Sequence, residues 1–252
     1  MLRPPLRAVI FDLDGTLVDS EKMGHRLAFN DAFVRAGLPD RWTSEEYGDL
    51  LKITGGHRRL VRYFLGRGVD PKQAVSLADE LHPAKTAIFR DMALGGAIPL
   101  RRGVRRLVGS LRRRDVRLFV ATTGHADWVG PLIDFHFGLS TFERVVTGSD
   151  VRALKPHPEA YRKVLREAKL SASGVVAIED SGNGLRAAHG AGIPCLVVSN
   201  EYTGTDVDAA ELVVTHFGPH AEVVSGGPAP LPHGLVTIET LESLTGPAVP
   251  SR

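Results

Sequence analysis

A short apolar stretch that leads directly into two acidic residues is the strongest constraint on the fold of this chain. The stretch Ala8–Phe11 carries no helical period and is followed by Asp12, Leu13, Asp14 and Gly15. An apolar run of this length with β-branched residues is typical of a strand buried on both faces of a parallel sheet. Ligands of open α/β sheets bind beyond the carboxyl ends of the strands. The sequence therefore places Asp12 and Asp14 where chemistry is usually carried out.

Two carboxylates one residue apart are suited to phosphoryl transfer. A carboxylate can attack phosphorus as a covalent nucleophile, which divides one difficult displacement into two easier ones. Because an anion attacks a phosphate dianion only beside a hard cation, the hypothesis includes Mg²⁺, which carboxylates and substrate phosphate hold together. Asp12 is then the candidate nucleophile, and Asp14 is the candidate to stay protonated and donate to the leaving oxygen. The alternative is a strand followed by an acidic turn that caps a helix.

Composition argues against several other classes of protein. The 252 residues predict one large domain or one domain with an insertion, and the net charge of +2 gives no signal for a polyanionic partner. The single cysteine, Cys195, excludes an intrachain disulfide framework and favours a reducing compartment. Because it lies in an apolar run, we interpret it as a buried small hydrophobe. No apolar stretch approaches the ~20 residues that span a bilayer. We expect a cytoplasmic monomer that binds neither nucleic acid nor membrane.

A helical insertion separates the first predicted strand from the next. Apolar residues recur with helical spacing from residue 20 to residue 93, and the next strand-like stretch begins near residue 116. Glycines and a proline at residues 95–99 predict a hinge. We therefore predict an α/β catalytic core at residues 1–19 and 96–252 and an inserted helical cap domain at residues 20–95.

The α/β alternation then resumes and predicts a parallel, Rossmann-like sheet. Arginines between residues 101 and 114 surround an apolar helical stripe and predict a solvated helix face. Nucleic-acid binding is the alternative, but no aromatic residues interleave for base stacking. Residues 217–234 are rich in glycine and proline and predict a loop. The later strands are predicted at residues 118–121, 144–147, 175–178, 195–198, 212–214 and 235–238, with helices beginning at residues 158, 184 and 240.

Polar residues follow three of the later strands. Thr122 can donate its hydroxyl to a phosphoryl oxygen, Lys155 beside Pro156 offers a positive charge, and Glu179 and Asp180 can complete a Mg²⁺ site. Singly, Thr122 and Asp180 also fit helix caps, and Lys155 fits an ordinary loop. Their succession after apolar strands is more specific than any one of them, because phosphoryl transfer requires mainly positioning and charge stabilisation.

This succession resembles the haloacid dehalogenase superfamily of phosphatases that carry a helical cap. The resemblance spans nearly the whole chain and implies a Rossmann-like core, an aspartyl-phosphate on Asp12 and a general acid and base at Asp14. It rests on Asp12-Leu13-Asp14-Gly15-Thr16, Thr122, Lys155-Pro156 and Glu179-Asp180-Ser181.

The resemblance also implies how metal and substrate bind. Mg²⁺ is implied at Asp12, the backbone carbonyl of Asp14 and Asp180, with Glu179 assisting. The implied contacts to the phosphoryl group and substrate are Thr122, Lys155, Thr16 and Thr123.

Short motifs in the predicted cap narrow the resemblance. They are Gly24-His25-Arg26, Tyr47-Gly48-Asp49-Leu50-Leu51 and Thr54-Gly55-Gly56. With the run that follows Glu179, they resemble CbbY-type sugar phosphatases, whose implied substrate is the small phosphorylated sugar xylulose-1,5-bisphosphate. The sequence departs from this pattern at Gly124-His125, where we expect His125 to begin the next helix, with a contact to substrate as the alternative. The departure bears on the substrate and not on the reaction.

A bisphosphate requires a second cationic site for the phosphate that does not react. We predict that Arg58 and Arg59, just after Gly55-Gly56, bind it, with an exposed helix start as the alternative. His25 and Tyr47 are further candidates for substrate binding, and Tyr47 also fits the core.

Two alternative functions use the same core residues. A phosphomutase of the β-phosphoglucomutase kind returns the phosphoryl group from Asp12 to a reoriented sugar, so its product from β-glucose-1-phosphate is glucose-6-phosphate. A phospho-acceptor regulatory domain also uses an acceptor aspartate, an acidic cluster, a threonine and a lysine. Asp14 and a cap argue against it, because a signalling domain avoids fast hydrolysis and needs no lid; an aspartyl-phosphate that persisted for minutes would favour it.

Overall fold

The chain folds into two compact units. The computed structural model describes residues 4–53, 55–204 and 206–246. The described residues up to Val18 and from Leu100 onward form an α/β unit, and Asp19–Pro99 forms a helical unit. The assignment of these units as catalytic core and cap stays a prediction, and Thr54 lies outside the described residues.

The α/β unit is built on one mostly parallel sheet, as predicted. Its strands are β1 (Ala8–Phe11), β2 (Arg117–Ala121), β3 (Arg144–Val146), β4 (Val175–Glu179), β5 (Cys195–Val198), β6 (Leu212–Val214) and β7 (Val223–Gly226). Their order in the sheet is β3-β2-β1-β4-β5-β6-β7, and only β7 is antiparallel to its neighbour. Every residue of β1, β4 and β5 is buried, as in a Rossmann-like sheet covered on both faces. Burial raises the pKa of the Cys195 thiol in β5, which confirms its interpretation as a buried small hydrophobe.

Helices make up much of the remaining chain. They are α1 (Arg26–Arg35), α2 (Ser44–Leu51), α3 (Gly56–Gly66), α4 (Pro71–Leu94), α5 (Val104–Arg113), α6 (Ala126–Phe137), α7 (Glu159–Glu167), α8 (Gly182–Gly190) and α9 (Ile238–Glu242). The first four, with a π-helical turn at Glu21–His25, make up the helical unit. Side-chain caps mark the starts of two of them: Thr43 and Glu46 form a capping box at α2, and Asp70 accepts from backbone N–H groups of α4. Among the helices described, none is both long enough and apolar enough to cross a bilayer.

Two predictions near the C-terminus are wrong. The strand predicted at residues 235–238 does not form, because Thr237 caps α9 by accepting a hydrogen bond from the Thr240 backbone N–H. The loop predicted at residues 217–234 contains β7, an edge strand whose Val223 and Val224 remain exposed. An edge strand without a buried face leaves no apolar alternation in the sequence, so the pattern could not reveal it.

Two residues of the arginine run bind backbone carbonyls of distant segments. The guanidinium of Arg101 is half-buried and donates at 2.6 Å to the carbonyl oxygens of Gly15 and Ser199. Arg106 donates to the carbonyls of Phe217 and Val236 at 2.7 and 2.6 Å. The prediction of a solvated face is therefore wrong for these two arginines, which join segments far apart in the chain, and right for the exposed residues 112–114.

The start of α5 provides a test of this packing. Gly103 has a φ of +88°, and a Cβ there would lie 2.3 Å from the Gly218 backbone nitrogen. Gly103→Ala is therefore expected to lower the free energy of unfolding by about 2–4 kcal/mol, from a left-handed backbone and an overpacked contact.

Gly109, in the interior of the same helix, is the matched control. A Cβ there meets nothing closer than 3.5 Å. Gly109→Ala should stabilise the protein by about 0.5–1 kcal/mol, because alanine loses less backbone entropy in a helix. Urea unfolding of both variants measures this difference, and equal effects would contradict the close contact at Gly103.

Candidate active site

Three carboxylates meet where β1 and β4 end. Asp12 follows β1, Glu179 is the last residue of β4, and Asp180 comes next. Because Phe11 pairs with Ile178 in neighbouring parallel strands, the residues that follow both strands emerge at one edge of the sheet. Oxygen atoms of the three carboxylates lie within 4.8 Å of one another. Clustered carboxylate oxygens, two of them on buried residues, are the kind of donor set that a hard divalent cation requires, so the residues fit a metal site.

Lys155 joins two of these carboxylates. Its Nζ lies 2.5 Å from Asp12 Oδ1 and 2.6 Å from Glu179 Oε1, and the side chain is 5% exposed. Tyr161 on α7 donates its hydroxyl to the same Glu179 Oε1 at 2.5 Å. The loop that carries Lys155 includes a cis peptide bond to Pro156. Lys155, predicted from the sequence as a charge beside the phosphoryl group, is thus brought directly to Asp12.

The electrostatics of this cluster are those of charges crowded away from water. Burial raises the pKa of the Asp12 carboxyl well above its ordinary value; the Lys155 ammonium opposes this shift, and the nearby carboxylates, Glu179 foremost, add to it. Burial alone would lower the pKa of Lys155, but its two carboxylate partners raise it above its ordinary value. Lys155 is therefore a fixed positive charge, and the cluster as a whole is short of positive charge.

The loop after β5 holds Asp180 in place. Asn200 donates from Nδ2 to Asp180 Oδ2 at 2.8 Å, and Thr203 donates from Oγ1 to the Asp180 carbonyl at 2.8 Å. The same Oδ2 also faces the turn after Asp14: a Cβ at Gly15 would lie 2.1 Å from Asp180 Oδ2. Gly15, with φ +74°, is therefore required both for the turn and for this close approach.

The predicted hydroxyl donors occupy three different environments. Thr122 is buried just past β2, the neighbour of β1, and its Oγ1 accepts from the Gly124 N–H at 3.0 Å. It does not cap α6, since that position is taken by His125, as predicted. Thr123 is exposed, whereas Thr16 is fully buried with no described partner for its Oγ1.

The helical unit gathers a second set of predicted residues. Tyr47 is fully buried, which agrees with the alternative prediction that it belongs to the core. It donates its hydroxyl to Glu21 Oε2 at 2.5 Å. Arg59 is 8% exposed and donates to the Tyr47 hydroxyl at 3.3 Å and to the Leu50 carbonyl at 3.0 Å. Arg58 beside it is exposed. The two arginines predicted as a pair therefore have different environments, and only Arg58 fits an exposed helix start.

His25 and the glycine turn lie in the same unit. The His25 ring stacks on Phe89 with centroids 3.8 Å apart, and its Nδ1 lies 2.8 Å from Lys85 Nζ. Gly55 has a φ of +97° and precedes α3, and a Cβ at Gly56 would lie 2.9 Å from the His82 ring.

Sequence reasoning missed several residues of both units. Asn200 carried a usable signal, because it is the second residue after β5, close to a strand end as Thr122 is after β2. Tyr161 and Lys85 carried none: each stands in a helical stripe of apolar residues, where a tyrosine or a long lysine stem also fits the core.

The comparisons with known proteins agree with this geometry. A family profile described as haloacid dehalogenase-like hydrolase matches residues 6–192. The CbbY protein of a Cupriavidus necator plasmid is 38% identical over 226 residues, which cover 86% of this chain and 88% of that protein.

Solved structures give the same relationship. CbbY from Rhodobacter sphaeroides in complex with phosphate is 39% identical with a TM-score of 0.70, covering 79% of this chain and 89% of that one. An Asp-to-Asn variant of the same protein in complex with xylulose-1,5-bisphosphate is 37% identical with a TM-score of 0.75, covering 84% and 94%. A β-phosphoglucomutase from Clostridium difficile shares the fold. It is 17% identical with a TM-score of 0.64, and the match covers 84% of this chain and 91% of that one. The chain therefore belongs to the haloacid dehalogenase-like hydrolases and is an enzyme of their phosphatase kind.

Proposed function

We propose that this enzyme hydrolyses a small sugar phosphate through an aspartyl-phosphate on Asp12, with Mg²⁺ as its cofactor. The observation that carries the proposal is the buried cluster in which Lys155 Nζ lies 2.5 Å from Asp12 Oδ1, beside the carboxylates of Glu179 and Asp180. A carboxylate held against an ammonium and beside a cation site is arranged for attack on phosphorus.

The reaction divides between two aspartates. An oxygen of Asp12 forms a bond to phosphorus while the bond from phosphorus to the sugar oxygen breaks, and Asp14 donates a proton to that oxygen. Water then attacks the phosphorus of the aspartyl-phosphate, Asp14 takes its proton, and phosphate and free Asp12 result. Lys155 balances charge on the transferred group, and the Thr122 hydroxyl donates to one of its oxygens.

The proposed metal ligands are Asp12, the Asp14 backbone carbonyl and Asp180, with Glu179 assisting. Bound there, Mg²⁺ would neutralise charge on the phosphoryl oxygens. Glu179 Oε1 already accepts from Lys155 and Tyr161, which supports an assisting role over that of a principal ligand.

The proposed substrate is xylulose-1,5-bisphosphate. It is supported by the similarity to CbbY, of which one variant was solved in complex with this sugar. Arg58 and Arg59 are proposed to bind the phosphate that does not react, with His25, Tyr47, Gly55 and Gly56 near the sugar. Arg59 already binds protein oxygens, so the exposed Arg58 is the stronger candidate.

The helical unit is proposed as a cap whose closure excludes bulk water during the reaction. A cytoplasmic location stays a prediction from the single cysteine.

Asp12→Asn tests the nucleophile. An amide has no anionic oxygen to attack phosphorus, so kcat should fall at least about 10³-fold in a phosphate-release assay with Mg²⁺. Stability should change little, because the buried carboxylate is replaced by a neutral group and Lys155 keeps Glu179 as a partner.

Asp208→Asn, an exposed position in the same unit, is the control and should keep full activity. EDTA should abolish turnover in the wild type and excess Mg²⁺ should restore it. Retained activity in Asp12→Asn would remove Asp12 from the nucleophile role.

Arg58→Ala tests the second phosphate site. It should raise KM for xylulose-1,5-bisphosphate at least about tenfold and leave KM for a sugar monophosphate within twofold, because only the bisphosphate has a second anion to bind. Arg90→Ala, an exposed cation on α4, is the control. Equal effects on both substrates would show that Arg58 does not bind the second phosphate.

A separate assay tests the mutase alternative. Conversion of β-glucose-1-phosphate to glucose-6-phosphate without phosphate release would identify a mutase instead of a phosphatase.

A further inference from the structure

Tyr161 lies in the active-site cluster although nothing in its sequence context marks it. The residue is fully buried on α7, among apolar side chains of the sheet and of α8. Its hydroxyl donates to Glu179 Oε1 at 2.5 Å, the same oxygen that accepts from Lys155 at 2.6 Å. Burial, with the Glu179 carboxylate adding to it, raises the pKa of Tyr161 well above its ordinary value, so the hydroxyl remains a donor.

The geometry points to Tyr161 as a positioning residue for the reaction, because its hydroxyl keeps Lys155 shared between Glu179 and the nucleophile Asp12. This inference rests on the proposed function.

The balance of distances around Lys155 supports this role. Its Nζ lies 2.5 Å from Asp12 and 2.6 Å from Glu179, so one ammonium serves two carboxylates almost equally. Glu179 Oε2 has no described hydrogen-bond partner, and it packs against Gly184, where a Cβ would lie 1.9 Å away. Lys155 and Tyr161 therefore supply the described donors to this carboxylate, both on Oε1.

Loss of the tyrosine hydroxyl would disturb this balance. Glu179 would then depend on Lys155 alone, and a buried carboxylate with a single donor attracts that donor more strongly. The ammonium would move toward Glu179 and away from Asp12. Asp12, the proposed nucleophile and metal ligand, would in turn lose part of the contact with the ammonium that holds it in place.

Tyr161→Phe removes the hydroxyl and little else. The Lys155 Nζ lies 5.3 Å from the centre of the Tyr161 ring, and phenylalanine preserves this cation–π contact and the packing of the ring. We expect kcat to fall about tenfold with KM within twofold. We also expect the Kd of Mg²⁺, measured by calorimetry on substrate-free protein, to rise at least threefold.

Tyr63→Phe is the matched control. It removes a tyrosine hydroxyl that donates to a carboxylate, Asp40 Oδ1 at 2.8 Å, in the helical unit. It should lower the melting temperature by a comparable amount and leave kcat and Mg²⁺ binding unchanged. The same losses in both variants would mark the Tyr161 effect as general destabilisation and overturn the inference.

A double-mutant cycle with Glu179→Gln completes the test. If Tyr161 acts through Glu179, Tyr161→Phe should change kcat less than twofold in the Glu179→Gln background. A full tenfold effect in that background would contradict the inference. Wild-type kcat and Mg²⁺ affinity in Tyr161→Phe would overturn it, as would a failure of this variant to fold, which would make the hydroxyl structural. Asp12→Asn separates the two claims: if it is inactive while Tyr161→Phe is normal, only the role of Tyr161 fails.

Discussion

The ammonium of Lys155 between Asp12 and Glu179 is the interaction on which the rest of the site depends. The three side chains are 5%, 6% and 1% exposed, so water screens their charges little. Without the lysine, two carboxylates would lie buried side by side, and one of them would be expected to take up a proton. Lys155 also fixes the loop before α7 against the ends of β1 and β4. The same ion pair therefore influences the charge of Asp12, the proposed nucleophile, and fixes the path of the chain around it.

Such a cluster is better explained by chemistry than by stability. Removing one partner of a buried ion pair costs about 3–5 kcal/mol, but well-packed apolar residues often serve a fold equally well. The sequence around the cluster is arranged to admit charge: Gly15 and Gly184 bring backbone to positions where a Cβ would lie 2.1 and 1.9 Å from the oxygens of Asp180 and Glu179. Both glycines thus hold carboxylates at distances that any side chain would forbid. Such close approach has no evident value for packing, and it suits a site that crowds oxygens around the proposed cation.

The parts of the site that the sequence could reveal are those that stand at strand ends. Asp12, Thr122 and Glu179 each come at or just after the end of a buried apolar run, and parallel strands bring their carboxyl ends to one edge. Lys155 was found by its order in the chain and its proline neighbour. The inserted helical segment was visible as a change of period from strand to helix.

The remaining parts lack a local signature. Arg101 binds the backbone carbonyls of Gly15 and Ser199, and any residue can supply a carbonyl, so no pattern marks the partners. Tyr161 stands in the apolar stripe of α7, so the sequence pattern predicts a core residue and gives no sign that its hydroxyl binds a carboxylate. In the helical unit, Arg58 and Arg59 are neighbours in sequence, but their different burial depends on helix phase. A phase error of one residue reverses such an assignment, which is why sequence reasoning treated them as a pair.

The charge of the cluster also decides between the kinds of phospho-acceptor that this fold can serve. Two buried carboxylates, Asp12 and Glu179, face one ammonium, and the half-buried Asp180 and Asp14 add to the negative field at Asp12. Such a site repels a phosphate dianion, which supports the proposed need for a divalent cation. A regulatory acceptor would need the same acceptor, lysine and cation, but it would gain nothing from a second acid that can protonate a leaving oxygen and then activate water. In the proposed mechanism, Asp14 is therefore the residue whose presence favours turnover over storage of the phosphoryl group.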